Sequence, residues 1–168
     1  MEADYAKFFL NRKAGVYQLE CIELYHPSFL NTYRVVRNDD RGVYVQHSPG
    51  GGQIFYEYMP VSIERSGMLG DLDQTLKISI SGLGTLLPDE FERVREGQYA
   101  TVKPTVNFRI YSSTDLTKPM YYLYNLQLAG VAMDHEAVTF QAESPRLNNT
   151  KTGDIYSLDR FSALRGAI

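Results

Sequence analysis

The sequence contains no tryptophan and only one cysteine among its 168 residues. A single cysteine, Cys21, cannot form an intrachain disulfide, and no CxxC motif or Cys and His cluster is present to hold zinc or an iron–sulfur cluster. We therefore expect no cofactor. The cysteine content is compatible with a reducing compartment.

Long apolar runs and a strong charge of one sign are also absent. No stretch approaches the roughly 18 apolar residues of a membrane span, and the N-terminus has neither the basic start nor the apolar centre of a signal peptide. The formal net charge is −3, the sequence pI is about 5.6, and the Lys and Arg residues are scattered. These features predict no membrane insertion and no sequence-specific binding of nucleic acid.

Tyrosine and strand patterns dominate what is present. The 13 tyrosines combine an apolar ring with a polar tip, which suits half-buried strands and interfaces. Apolar and polar residues alternate most clearly over 73–80, and again over 101–111, 121–132 and 136–143. Sequential strands with one polar face predict a mainly β fold, either an antiparallel sandwich or a partly open barrel.

Four earlier segments also have strand composition, over 16–25, 33–37, 43–47 and 53–65. The last of them contains Pro60. Because proline cannot donate to a backbone ladder, we expect an edge strand or a bulge at this point.

Two short helices complete the predicted domain. Residues 3–14 carry aromatic side chains at helical spacing, and residues 88–96 begin with proline and acidic residues and end before a glycine. We expect the second helix to flank the sheet and close one end of its core. The side chains expected to face that core are Leu87, Phe91 and Val94.

The final segment, 144–168, departs from the strand pattern. A polar stretch at 148–153 precedes spaced apolar residues, which are too few to build a core and too many for a solvated tail. We predict an extended arm that docks on an adjacent subunit, with docking on its own domain as the alternative. The expected interface residues are Ile155, Tyr156, Arg160, Phe161, Leu164 and Arg165. The chain then divides into an N-terminal helix (1–15), a β domain (16–143) and this C-terminal arm (144–168).

One residue set has the composition of a nucleophile and its base. Cys21 with His26 or His47 would form a thiolate–imidazole pair if the fold brought them together. However, Cys21 alternates with Tyr17 and Leu19 in a predicted strand, where a cysteine behaves as a small buried apolar side chain. We therefore predict a structural role for Cys21.

Clusters of acidic residues and glycines have simpler explanations than ligand binding. Adjacent strand residues point to opposite faces, so residues 134–136 (Asp-His-Glu) cannot all face one ion, and a hairpin turn is expected there. The glycines at 50–52 lack the Lys-Ser/Thr sequence of a phosphate-binding loop. Two further acidic pairs lack the spacing of a calcium loop and are expected in turns, namely Asp39 with Asp40 and Asp71 with Asp73. We predict no catalytic and no metal-binding residue, and a protein that is not an enzyme.

Three parts of the chain together resemble a family of tail-assembly proteins from long-tailed bacteriophages, known mainly as a domain of unknown function encoded among minor tail genes. They are residues 22–29 (Ile-Glu-Leu-Tyr-His-Pro-Ser-Phe) running into 33–38, residues 72–80 followed by 87–91, and residues 160–166 (Arg-Phe-Ser-Ala-Leu-Arg-Gly). The middle part is also similar to the start of the lambda-like minor tail tip protein. This chain lacks the cysteine-rich iron–sulfur domain of that protein, so the resemblance does not imply its cofactor.

The resemblance implies a structural subunit of a tail tip or baseplate. Such a subunit would have a tail-tube-like sandwich or barrel and would form a trimeric or hexameric ring. Its partners would be other copies of itself and the neighbouring distal tail and hub proteins, and it would reside in the virion tail after synthesis in the host cytoplasm. Two other classes stay open: a carbohydrate-binding β sandwich of the tail tip, and a tip-associated hydrolase.

Overall fold

A computed structural model describes residues 2–10, 14–66, 75–82, 87–134 and 136–144 of the chain. Within these ranges the chain forms two helices and nine strands. The helices are α1 (Glu2–Leu10) and α2 (Leu87–Glu96), and neither is long and apolar enough to span a membrane. The strands are β1 (Gln18–Tyr25), β2 (Tyr33–Val36), β3 (Val43–Gln46), β4 (Gln53–Tyr58), β5 (Val61–Ser66), β6 (Thr75–Ser81), β7 (Thr105–Ser112), β8 (Tyr121–Met133) and β9 (Ala137–Glu143).

The nine strands form one sheet in the order β3-β4-β2-β1-β7-β8-β9-β6-β5. Its pairs are antiparallel except for β2 and β4, which run parallel. The sheet does not close into a barrel, since in the described part of the chain β3 and β5 are its two ends. The predicted mainly β, sandwich-like fold is confirmed, as is the antiparallel run of β7, β8 and β9.

The prediction of one long strand over 53–65 is wrong, because the chain changes neighbours at Pro60. Before this residue β4 follows β2, and the Met59 N–H donates to the Val36 carbonyl at 3.3 Å. After it β5 follows β6, and the Pro60 carbonyl accepts from the Ser81 N–H at 3.0 Å. The strand composition continues through both segments, but Pro60 marks the break. The expected edge strand is confirmed, because β5 is at one end of the sheet in the described part of the chain.

Each face of β1 and β7 is covered by a separate apolar core. Successive strand residues point to opposite faces, so Ile22 and Phe108 enter a main core shared with β2, β5, β6, β8 and β9. Cys21 and Tyr111 enter a second core on the other face. The members of this second core are Leu19, Cys21, Val36, Val43, Val45, Tyr56 and Tyr111. Since Val43, Val45 and Tyr56 belong to β3 and β4, the hairpin of these two strands covers that face.

The helices pack against the main core at different positions. The α2 residues Leu87 and Val94 are buried, whereas Phe91 is only partly buried and lies edge-on to Phe29 at 5.9 Å between ring centroids. In α1, Tyr5 and Phe8 pack against the core, and the Tyr5 ring lies 5.5 Å from that of Tyr121. The expected orientation of α2 is therefore confirmed, but its aromatic residue contributes less burial than its leucine.

We expect Leu87→Ala to lower the free energy of unfolding by about 2–5 kcal/mol, because it empties a fully buried position. Phe91→Ala should cost less, since part of its ring already contacts water. Leu30→Ala is the control, because Leu30 is 69 % exposed and should change stability by no more than about 0.5 kcal/mol. Urea unfolding followed by circular dichroism measures all three. An unchanged midpoint for Leu87→Ala would show that α2 is peripheral.

Candidate functional site

A buried polar cluster lies under the β3–β4 hairpin. Arg109 on β7 donates from Nη1 to Glu23 Oε2 at 2.8 Å and to Tyr56 Oη at 2.9 Å. Arg109 and Glu23 are diagonal neighbours on one face, since Arg109 lies opposite Cys21 in the register of β1 and β7. Tyr56 comes from β4, so the Arg109 guanidinium links the central strands to the hairpin.

The Glu23 carboxylate has two further donors. Arg34 Nε lies 3.1 Å from Oε1 and Asn107 Nδ2 lies 3.3 Å from Oε2. Burial disfavours the charge of Glu23, but the hydrogen bond and the charge of Arg109, with the bonds from Asn107 and Arg34, hold the pKa of this carboxyl below its usual value. Glu23 is therefore ionised at neutral pH and is a poor proton donor. The Arg109 guanidinium also stacks on the Tyr124 ring, 4.9 Å from its centroid.

The hydroxyl of Tyr56 joins this ion pair to His47. Burial raises the pKa of Tyr56, so its hydroxyl stays protonated. Because Arg109 donates to the Tyr56 oxygen, the phenolic hydrogen is free to point at His47 Nε2, 3.0 Å away. Burial and the positive charge of Arg109 lower the pKa of His47, which agrees with a neutral imidazole that accepts this hydrogen. These bonds link Glu23, Arg109, Tyr56 and His47 into one chain, in which Arg109 Nε is buried without a hydrogen-bond partner. The arrangement favours a structural role for the cluster.

The structure does not join the cysteine to either predicted histidine partner. The Cys21 side chain is buried in the second core, and burial raises the pKa of its thiol. His26 Nδ1 accepts from the Ser28 N–H at 3.0 Å, so Nε2 carries the hydrogen that it donates to the Val102 carbonyl at 3.1 Å. With His47 bonded to Tyr56, the two imidazoles have partners other than the thiol. This geometry favours a structural role for all three side chains.

The predicted turn residues form turns where the structure describes them. The Asp134 N–H donates to the Ala137 carbonyl at 2.9 Å in the β8–β9 hairpin, and Asp39 accepts from the backbone of Arg41 and Gly42. His135, Asp71 and Asp73 lie outside the described residues. Within the described ranges, no three or more His, Cys, Asp and Glu side chains are grouped so that they could hold a metal ion.

Two aromatic rings on the outer face of the hairpin form an exposed apolar surface, which we call the hairpin patch. It consists of Tyr44 and Phe55, opposite each other on β3 and β4, with ring centroids 4.8 Å apart. Tyr44 is 59 % exposed and Phe55 is 43 % exposed. Gly42 lies directly beneath, with φ of +72°, and a Cβ there would come within 2.5 Å of the Phe55 ring. The absence of a side chain at Gly42 therefore lets the Phe55 ring lie close to the turn.

The sequence analysis predicted neither the hairpin patch nor the buried cluster. It predicted an interface in the C-terminal arm instead. The predicted interface residues Ile155, Tyr156, Arg160, Phe161, Leu164 and Arg165 lie outside the described residues. A signal for the patch was present, because Tyr44 stands between the alternate core residues Val43 and Val45 and must face outward. The ion pair had no comparable signal, since its two charges are far apart in sequence.

We expect Glu23→Gln to lower the free energy of unfolding by about 3–5 kcal/mol, because it leaves the Arg109 charge buried without its anion. The low pKa of Glu23 means that its ionic contribution is present above the pKa of the unfolded chain and is lost as the pH falls through the folded value. The acid side of the stability–pH curve should therefore be shallower in the variant. Urea unfolding at several pH values measures both effects.

The matched control for this prediction is Glu64→Gln. Glu64 also pairs with a cation, Lys77, but both side chains are more than half exposed. An exposed pair contributes about 0–1 kcal/mol, so this variant should resemble the parent chain. Equal losses in Glu23→Gln and Glu64→Gln would show that the buried pair has no special role.

We expect the Cys21 thiol to react with a disulfide reagent only when the chain unfolds, because the side chain is fully buried and its thiol pKa is raised. Cys21→Ala should lower stability by about 1 kcal/mol, the cost of trimming a small buried group. Reagent absorbance in native buffer and in urea tests the first statement. Rapid reaction of the native protein would contradict the structural role.

Comparison with known proteins gives a family without an assigned activity. No curated protein matches the chain. The family described as Domain of unknown function (DUF1833) matches residues 6–155, a range that includes all nine described strands and α2. The chain therefore belongs to the family Domain of unknown function (DUF1833).

Proposed function

We propose that the protein is a structural subunit of a phage tail tip or baseplate, forming a ring between the distal tail tube and the central hub or fibre protein. The resemblance of three segments to tail-assembly proteins supports this proposal. The structural observation that carries it is the hairpin patch, a pair of exposed aromatic rings on a domain whose buried polar groups have structural roles.

The hairpin patch has the properties of an interface centre. Large aromatic side chains are enriched at the centres of protein interfaces and contribute much of their binding energy. Tyr44 and Phe55 contact each other, and the position of Phe55 is set by the close approach of Gly42. The rings are therefore held in place before any partner binds, which reduces the entropy lost on association.

A ring also needs a second, different surface on each subunit, because its contacts run head to tail. The end of α1 offers one. Phe9 is 53 % exposed and Leu10 is 83 % exposed, while Tyr5 and Phe8 of the same helix pack on the core. The ring would be a trimer or a hexamer, with further contacts to neighbouring distal tail and hub proteins in the virion tail.

We expect the full chain to assemble to three or six times its subunit mass of 19.1 kDa. Phe55→Asp should shift the population to monomer, because it places a charge at the centre of the contact. Static light scattering over a range of concentrations measures the mass, and circular dichroism checks that the variant is folded.

Tyr99→Asp is the control for this experiment. Tyr99 is 45 % exposed, close to the value for Phe55, but it lies in the turn that follows α2. This variant should assemble like the parent chain. A parent chain that stays monomeric at every concentration would overturn the proposed function, and assembly by folded Phe55→Asp would remove the hairpin patch from the contact.

A further inference from the structure

We propose that the contact between His47 and Tyr56 is a pH-sensitive switch, which keeps the β3–β4 hairpin closed over the second core at neutral pH and weakens that closure in acid. The switch would act within a single subunit, so it goes beyond the proposed function and does not depend on a ring. Three features support it: the hydrogen bonds of the Tyr56 hydroxyl, the charges around His47, and the different exposure of the two side chains.

The Tyr56 hydroxyl contacts one fixed donor and one titratable group. It accepts from Arg109 Nη1 at 2.9 Å, and His47 Nε2 lies 3.0 Å away. A guanidinium can only donate, so the hydroxyl can give its own hydrogen to His47 only while Nε2 carries no proton. Protonation would place a second donor at the same oxygen and leave the phenolic hydrogen without this acceptor. Because Tyr56 is fully buried, water cannot take over while the hairpin is closed, and an unpaired buried donor is destabilising.

The charges around His47 also oppose its protonation. Three charged side chains on the strands beneath the hairpin act on it, one each from β7, β2 and β1, and they are Arg109, Arg34 and Glu23. Two of them are cations, and the carboxylate already accepts a hydrogen bond from each cation. The loop after β7 bonds to Gln46, and its Asp115 carboxylate accepts from the N–H and the hydroxyl of Thr117. Burial and the charge of Arg109 therefore hold the pKa of His47 below its usual value.

The two side chains differ in their access to solvent. His47 is only partly buried, so protons can reach its ring, whereas Tyr56 is fully buried. Opening of the hairpin would return the pKa of His47 toward its ordinary value of about 6.5. The open form then binds the proton more tightly, so closure is fully favoured above this value and is weakened as the pH falls from it through the lower closed-state pKa. Glu23 stays ionised over this range, because its pKa is also lowered.

Hydrogen exchange of the native chain tests the proposal. The Gln46 N–H donates to the Leu116 carbonyl at 2.8 Å, so its protection reports whether the hairpin is attached. From about pH 7 to about pH 5, its opening equilibrium, corrected for the intrinsic exchange rate, should shift toward the open form by at least about threefold. The amides of β9, which is separated from the hairpin by β2, β1, β7 and β8, should change less. An unchanged equilibrium at Gln46, or an equal change in β9, would overturn the proposal.

A titration of the His47 ring followed by NMR provides a direct measurement. The ring should titrate below the ordinary histidine pKa of about 6.5. A pKa at or above that value would also overturn the proposal, because acid would then not favour the open hairpin.

Two histidine substitutions separate this effect from other titrations. His47→Gln keeps an acceptor for the Tyr56 hydroxyl but cannot gain a charge, so the acid shift at Gln46 should disappear while protection near pH 7 stays within about threefold of the parent chain. His26→Gln is the control, because both ring nitrogens of His26 bond to backbone groups outside the hairpin, and it should keep the shift. A shift that persists in His47→Gln, or one that is lost in His26→Gln, contradicts the switch. If either variant does not fold, the exchange and the ring titration of the parent chain decide.

Discussion

The buried ion pair between Glu23 and Arg109 is the contact on which the two-sided packing of this protein depends. A lone charge in this position would be strongly destabilising, because water cannot reach it. Arg109 reaches its second acceptor, the Tyr56 hydroxyl, only when the β3–β4 hairpin covers the central strands. The pair therefore couples the interior of the sheet to the position of the hairpin, and it gives the second core a specificity that its seven apolar side chains would not provide alone.

This coupling extends to the outer surface of the hairpin. Tyr56 faces inward to Arg109, and its neighbour Phe55 must then face outward, because successive strand residues point to opposite sides. Tyr44 lies opposite Phe55 and shares its outward face. The buried hydrogen bond thus fixes which side chains form the hairpin patch and in which direction they point. The outward direction of the two aromatic rings is in this way a consequence of polar chemistry in the interior.

The features that the sequence predicted correctly are those set by local pattern. Leu76, Ile78 and Ile80 alternate with polar residues and are buried as expected, and the β8–β9 turn lies where its polar residues indicated. The features that it did not predict depend on distant partners. Glu23 lies between Ile22 and Leu24, a pattern that indicates a solvent-facing charge. Only the position of the hairpin makes that face an interior. The parallel pairing of β2 with β4 also joins segments that are distant in sequence, and the local pattern of neither strand indicates its partner. Within the candidate site, the alternation at Val43–Val45 was enough to predict that the Tyr44 ring faces outward. The predicted interface residues of the arm lie outside the described ranges, so that prediction stays untested.

The two ends of the sheet differ in a way that bears on assembly. At β3, the Gln46 N–H donates to the Leu116 carbonyl and the Gln46 carbonyl accepts from the Tyr111 hydroxyl, so the loop after β7 and a core tyrosine cover part of this edge. The edge of β5 has no such cover in the described residues. Another chain could therefore pair with β5 without displacing a bond of the described residues, whereas pairing at the Gln46 end of β3 would have to displace these two bonds.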